Sequence, residues 1–162
     1  MANYYTVKAQ KAVDVQTKGA AERNSSTGEG VRFFSDSITT VDLENNDIIH
    51  VGPFRAGEMV LGNFTKIIGD ATVDLGTDLD IGWAYVDGSG TADPDAFVAG
   101  TFDGSAAVID VAGVNITDGT VDDAVYGPPT NDRDWWLTIT VIDNTGEING
   151  TAYVQGLAVN FR

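Results

Sequence analysis

The sequence predicts an all-β fold, an antiparallel β-sandwich or jelly roll preceded by an extended N-terminal arm, with at most one short helix. Three observations support this class. Apolar residues recur with a period of two, turn-forming residues separate these segments about every eight to twelve residues, and glycine supplies 19 of the 162 residues. We divide the chain into an arm, residues 1–30, and one sandwich domain, residues 31–162.

The strongest strand signal lies near the C-terminus, in the segment DWWLTITVIDNTG. Alternate residues from Trp135 to Val141 are apolar, and threonines stand between them, which is typical of a strand with one buried face. A turn at 143–146 follows, and the returning segment to Phe161 is apolar on both faces. We therefore predict a long antiparallel hairpin whose second strand lies inside a sheet. Trp135 and Trp136 must face opposite sides of their strand, and the sequence leaves open which of them is buried.

Six or seven further short strands are expected between residue 31 and this hairpin, giving eight or nine in all. Turn residues such as Asn45-Asn46-Asp47 and Gly76-Thr77 separate them. The short helical turn is placed near 93–100, because Asp93 followed by Pro94 resembles a helix N-cap with proline at the first helical position. Residues 112–133, with their proline pair, are expected to form a long loop.

The first 30 residues have little core-forming pattern, so we interpret them as an arm that becomes ordered against a neighbour. The tyrosine pair, Val13 and Val15 are expected to provide a few strand-like contacts. The candidate partner-binding residues of the arm are its early apolar side chains and its basic residues: Tyr4, Tyr5, Val7, Lys8, Lys11, Lys18 and Arg23.

The formal net charge of −15 argues against a nucleic-acid partner, because phosphate contacts need a basic surface. The charge is unevenly placed: residues 1–32 hold five basic and three acidic residues, and the rest holds four basic and 21 acidic residues. The chain has no cysteine and no apolar run near the 18 or so residues that cross a bilayer. No secretory signal is visible, so we expect synthesis in a cytoplasm and no membrane partner.

Candidate catalytic chemistry is sparse, and we predict neither enzyme activity nor a cofactor. His50 is the single histidine and stands between apolar residues of a strand, with no nucleophile motif in the chain. Among 24 acidic residues some pair will lie at a glycosidase-like distance by chance. The loop carrying Asp87, Asp93 and Asp95 offers oxygen ligands for Ca²⁺ but lacks the EF-hand pattern, so no metal site is assigned.

The order of three segments carries a family resemblance. They are DIIHVGPFRAGEMVLGNFTKIIGD, ATVDLGTDLDIGWAYVD and DPDAFVAGTFDG, followed by the closing Trp-rich strands. This order resembles the small jelly-roll decoration (cement) proteins of tailed-phage capsids. The resemblance implies a protein without catalytic residues that binds the outer surface of the major capsid protein lattice. It further implies self-association as a homotrimer, a location on the virion exterior, and an arm that contacts the capsid or an adjacent subunit.

The alternative is a carbohydrate- or receptor-binding β-sandwich module of a virion appendage, which would use an outward-facing tryptophan as its platform. An exposed aromatic platform flanked by Asp or Asn would favour this alternative. An apolar lateral patch continuous with the arm would favour the decoration protein. A glycan hydrolase is the third and least supported reading.

Overall fold

The computed structural model describes residues 2–6, 30–69, 73–74, 78–98, 108–110, 132–143 and 146–160, and the structural statements below concern these residues. They contain strands and no helix, and so no helix that is long and apolar enough to span a membrane. In chain order the strands are β1 (Asn3–Tyr5), β2 (Gly30–Leu43), β3 (Ile48–Phe54), β4 (Glu58–Gly69), β5 (Val73–Asp74), β6 (Asp78–Tyr85), β7 (Asp93–Val98), β8 (Val108–Asp110), β9 (Trp135–Asp143) and β10 (Gly146–Asn160).

These strands form two sheets, which confirms the predicted all-β class. The first sheet, sheet A, has the order β1-β3-β9-β6-β7, and the second, sheet B, has the order β2-β10-β4-β8 with β5 paired to β10. All of these strand pairs are antiparallel except β1 with β3, which run parallel. The first sheet is therefore mixed, and its parallel strand is the one nearest the N-terminus.

One hydrophobic core lies between the sheets. Trp135, Leu137, Ile139 and Val141 of β9 are buried in it, and the inward face of β10 meets them with small side chains such as Ala152 and Ala158. The ring of Phe34 on β2 contacts that of Phe54 on β3 edge-on, with centroids 5.0 Å apart, so the two sheets share this core. The alternation predicted for residues 135–141 is confirmed on the core side, whereas Trp136, Thr138 and Thr140 on the other face are buried as well.

The predicted closing hairpin is wrong in its pairing. β9 pairs with β3 and β6 in sheet A, whereas β10 pairs with β2 and β4 in sheet B. The chain crosses from one sheet to the other between Asp143 and Gly146, so consecutive strands are not neighbours. Apolar residues on both faces do mark an interior strand, and β10 is one. That pattern fixes the environment of a strand but not its partner.

The helical turn predicted near 93–100 is also wrong, because Asp93–Val98 is the edge strand β7. Pro94 has no backbone N–H to donate. An edge strand tolerates this, because its outer side has no neighbouring strand that would need the hydrogen bond. Gly82 on β6 allows β7 to lie close beside it. A Cβ on residue 82 would collide with the carbonyl oxygen of Asp93 and the backbone of Pro94. The close approach of two backbones thus decides the conformation of the Asp-Pro segment.

Candidate interaction surface

The outer face of sheet B exposes a group of apolar side chains at the start of β2. Cross-strand pairing places Val31 beside Val159 and Val159 beside Met59; the next row is Phe33, Leu157 and Leu61. Val31 is 64% exposed and Phe33 is 65% exposed, although both belong to a strand that pairs with an interior strand of the sheet. We call this surface the apolar face and define it by these six residues: Val31, Phe33, Met59, Leu61, Leu157 and Val159.

The two rows that follow along the same strands are polar or mixed. They contain Ser35, Gln155 and Lys66, and then Ser37, Tyr153 and Ile68. None of the outward-facing side chains described in these four rows is a carboxylate, although the whole chain has a net charge of −15. A contiguous apolar patch on a soluble domain is typical of a protein–protein contact. All six residues of the patch itself are uncharged.

The apolar face is continuous along the chain with the predicted arm. β2 begins at Gly30, the last residue assigned to the arm, and Val31 is the first residue of the apolar face. A lateral apolar patch next to the arm was the sequence criterion that favours a decoration protein over a sugar-binding module. Strands are expected from residue 31 onward, but the exposure of Val31 and Phe33 is not anticipated by the sequence analysis. The signal was the FF pair, since adjacent strand residues must point to opposite faces.

Of the candidate binding residues of the arm, the structure describes Tyr4 and Tyr5, which belong to β1 and contact the domain itself. The hydroxyl of Tyr4 donates a 2.9 Å hydrogen bond to the backbone carbonyl of Asp42, and the ring packs against the core. The ring of Tyr5 stacks on His50 with centroids 4.8 Å apart. The strand-like contacts expected of the tyrosine pair are confirmed. The other candidate arm residues, Val7, Lys8, Lys11, Lys18 and Arg23, lie outside the described residues, so their binding role stays a prediction.

All three tryptophans are buried, which answers the question left open by the sequence. Trp135 is 0% exposed and lies in the core, whereas Trp136 is 4% exposed on the opposite face of β9. The outer indole is covered by the edges of Tyr5 and His50, at centroid distances of 6.1 Å and 5.9 Å. Trp83 is 5% exposed. The outward tryptophan platform on which the sugar-binding alternative depended is therefore not formed.

His50 is held between β1 and β9. Its Nε2–H is placed to donate to Asn3 Oδ1 at 3.2 Å in the matching tautomer, whereas its Nδ1 is buried without a partner. Burial lowers the pKa of His50 to about 4, so the ring is neutral at neutral pH. No group of three or more His, Asp or Glu side chains among the described residues is arranged to hold a metal ion.

The acidic loop considered for Ca²⁺ has a different arrangement. The carboxylate of Asp87 accepts hydrogen bonds from the backbone N–H and the hydroxyl of Ser89, at 2.9 and 2.7 Å, and these bonds lower its pKa. Arg133 approaches the same carboxylate at 3.7 Å, and its guanidinium lies 3.9 Å above the ring of Tyr85. Asp87 is thus engaged in fixing the turn after β6.

No known protein family, curated protein or solved structure was found to match this chain.

Proposed function

We propose that this chain is a phage capsid decoration (cement) protein, which binds the outer surface of the major capsid protein lattice and stabilises the head. It is made in the host cytoplasm, joins the virion exterior and acts without catalysis. The observation that carries this proposal is the apolar face: six apolar residues on three adjacent strands, two of them about two-thirds exposed, on a strongly acidic chain.

The apolar face contributes part of the energy of a specific contact. Covering the exposed parts of Val31 and Phe33 removes on the order of 200 Å² of apolar surface from water, or about 5 kcal/mol before the costs of association. The neighbouring Met59, Leu61 and Leu157 are each partly exposed and add to that area. A repeated capsid surface, together with self-association as a homotrimer, multiplies a modest contact by avidity.

The charge distribution supports the same proposal. Most acidic residues lie after residue 32, whereas the first 32 residues carry a small excess of basic ones. An apolar face without carboxylates can approach another protein without burying unpaired negative charge, which would be costly. The acidic remainder of the surface keeps a protein with an apolar patch soluble before it assembles.

Binding to phage heads that lack their decoration protein tests the proposal. Purified heads are mixed with the full-length chain and sedimented, and the bound fraction is measured for the native chain and for the double variant Val31→Thr/Phe33→Thr. Threonine keeps the strand propensity while it removes apolar area. We expect the double variant to bind at least tenfold more weakly.

The matched control is Ile142→Thr, which makes a comparable apolar-to-polar change on β9 of the other sheet, at a residue that is 38% exposed. This control should bind like the native chain. Equal binding by the double variant and the control would show that the apolar face does not bind the heads. Absence of head binding by the native chain, together with a response of the exposed Tyr153 region to a glycan panel, would favour the carbohydrate-binding alternative.

A further inference from the structure

The N-terminal strand β1 is held at its first residues by one buried carboxylate. Asp47 Oδ1 accepts a hydrogen bond from the backbone N–H of Ala2 at 2.5 Å, and Oδ2 accepts one from Glu44 at 3.0 Å. The single hydroxyl proton of Tyr4 is shared between the Asp42 carbonyl oxygen, 2.9 Å away, and the Asp47 side chain. Because Asp47 is almost fully buried, its charge is stabilised mainly by these donors.

Two further side chains, those of His50 and Asp36, contact the rest of the segment from Ala2 to Thr6. His50 contacts Asn3 through Nε2 and stacks its ring on Tyr5. At the end of the strand the hydroxyl of Thr6 donates to the carboxylate of Asp36, which lies on β2 in the other sheet. Both Thr6 and Asp36 are buried, and Asp36 Oδ1 also accepts from the backbone N–H of Ser37 at 2.9 Å.

The backbone of β1 contributes a short pairing. Asn3–Tyr5 pairs in parallel with Ile48–His50, and the flanking bonds are Ile48 N–H to Ala2 and Thr6 N–H to His50, each 3.0 Å. Because β1 is the edge strand of sheet A, its departure would leave the pairing of β3 with β9 intact. A short edge strand is among the elements that open locally at low cost, so its side-chain contacts decide whether it stays docked.

We propose that β1 is an acid-sensitive latch, which is docked on β3 at neutral pH and is released when Asp47 and His50 take up protons. Each of the five residues from Ala2 to Thr6 contacts one of these two residues through a side chain or the backbone. The latch concerns the conformation of the isolated chain, and it stands independently of the proposed binding to capsids.

The direction of the effect follows from the charge states. The folded pKa of His50, about 4, lies below its ordinary value of 6.5, so docking favours the neutral ring. This contribution is complete above about pH 6.5 and is lost as the pH falls through about 4. For Asp47, burial alone would raise the pKa, but the hydrogen bonds from Ala2, Glu44 and Tyr4 outweigh it and lower the pKa. Its contribution is likewise lost on acidification.

The groups around the latch do not reverse this direction. Burial together with the nearby Asp47 raises the pKa of Tyr4, so its hydroxyl stays neutral across the acidic range. The other acidic side chains near Tyr4 and Asp47 are Asp42 on β2 and Glu44 in the following turn.

Amide hydrogen exchange of the full-length chain, followed by NMR and corrected for intrinsic rates, tests the latch. The reporters are the amides of Thr6 and Ile48, which donate between β1 and β3, and the reference is Val141 in β9, whose amide donates to Asp47 O. From pH 7 to pH 4 we expect the reporters to lose at least tenfold in protection while the interior amides of β9 keep theirs. If the reporter amides stay protected at pH 4, or if they lose protection only together with the amides of β9, the latch proposal is overturned.

Variants separate the titrating groups from a general loss of stability. Asp47→Asn keeps one oxygen acceptor and replaces the other with an NH₂ group, which cannot accept a hydrogen bond. We therefore expect β1 to be released already at pH 7. The matched control Asp134→Asn alters a carboxylate that accepts from the Ala56 backbone N–H at 3.0 Å, away from β1, and should leave the reporters protected. His50→Gln keeps a donor for Asn3 but does not titrate, so release should shift to lower pH. If this variant releases β1 at the same pH as the native chain, His50 does not contribute to the latch.

Discussion

The indole Nε1–H of Trp135 donates a 3.1 Å hydrogen bond to the backbone carbonyl of Glu58, and so connects the central strand of one sheet to the first residue of β4 in the other. The carboxylate of Glu58 accepts in turn from the backbone N–H of Arg55 at 2.8 Å. Trp135 also stacks on Phe54, with ring centroids 4.8 Å apart. This one side chain therefore fixes the start of β4 relative to β9.

Replacing Trp135 with phenylalanine should lower the free energy of unfolding by about 2–4 kcal/mol, because the change leaves a cavity and removes the hydrogen bond from the indole to the buried Glu58 carbonyl. Equilibrium unfolding in urea measures this change. Trp136→Phe is the matched control on the opposite face of the same strand, where Tyr5 and His50 cover the ring, and we expect a smaller loss. A larger loss for Trp136→Phe would contradict the role assigned to the Trp135–Glu58 contact.

Phe33 and Phe34 are neighbours in the chain with opposite environments, since Phe33 is 65% exposed and Phe34 lies in the core. Phe34→Ala should cost about 3–5 kcal/mol of unfolding free energy, as is usual for a buried aromatic ring. Phe33→Ala should change it by less than about 1 kcal/mol. Urea denaturation of the two variants provides the comparison. A large loss for Phe33→Ala would mean that this residue serves the fold and not a partner.

The pattern of alternate residues was enough to predict the environment of most strands. It identified the buried face of β9, the interior position of β10 and the contacts of the N-terminal tyrosines. Local patterns do not encode which strands become neighbours, so β9 and β10 were wrongly paired with each other. The Asp93-Pro94 signal for a helix was outweighed by a nonlocal contact, the approach of this backbone to Gly82.

The candidate interaction surface was harder to predict than the core. Val31 and Phe33 are of residue types that also form the buried faces of strands. Only the register of β2 with β10 shows that they face outward. The latch was also hidden, because no sequence motif links Asp47 and His50 with the N-terminal residues. Their common feature, contact with β1, arises from a parallel pairing between residues 3–5 and 48–50.

Gly82 provides a further test of packing between β6 and β7. Gly82→Ala should lower the unfolding free energy by about 3 kcal/mol or more, because a Cβ would meet the backbone of Asp93 and Pro94, which cannot move aside as a flexible side chain can. The control is Gly88→Ala in the turn after β6, where the Cβ would meet no atom but φ is +68°. This control should cost about 1 kcal/mol through backbone strain. Similar losses in thermal unfolding would contradict the close approach.

Thr138 is buried on the outer face of β9, and its hydroxyl has no hydrogen-bond partner. Thr138→Val replaces the hydroxyl with a methyl group of similar size, so we expect a gain of about 1 kcal/mol in unfolding free energy. Thr65→Val is the matched control, because the hydroxyl of Thr65 is buried and donates to the carbonyl of Leu61 at 2.9 Å. That variant should lose about 1 kcal/mol. Urea unfolding measures both variants, and a loss for Thr138→Val equal to that of Thr65→Val would show that the Thr138 hydroxyl has a stabilising partner in solution.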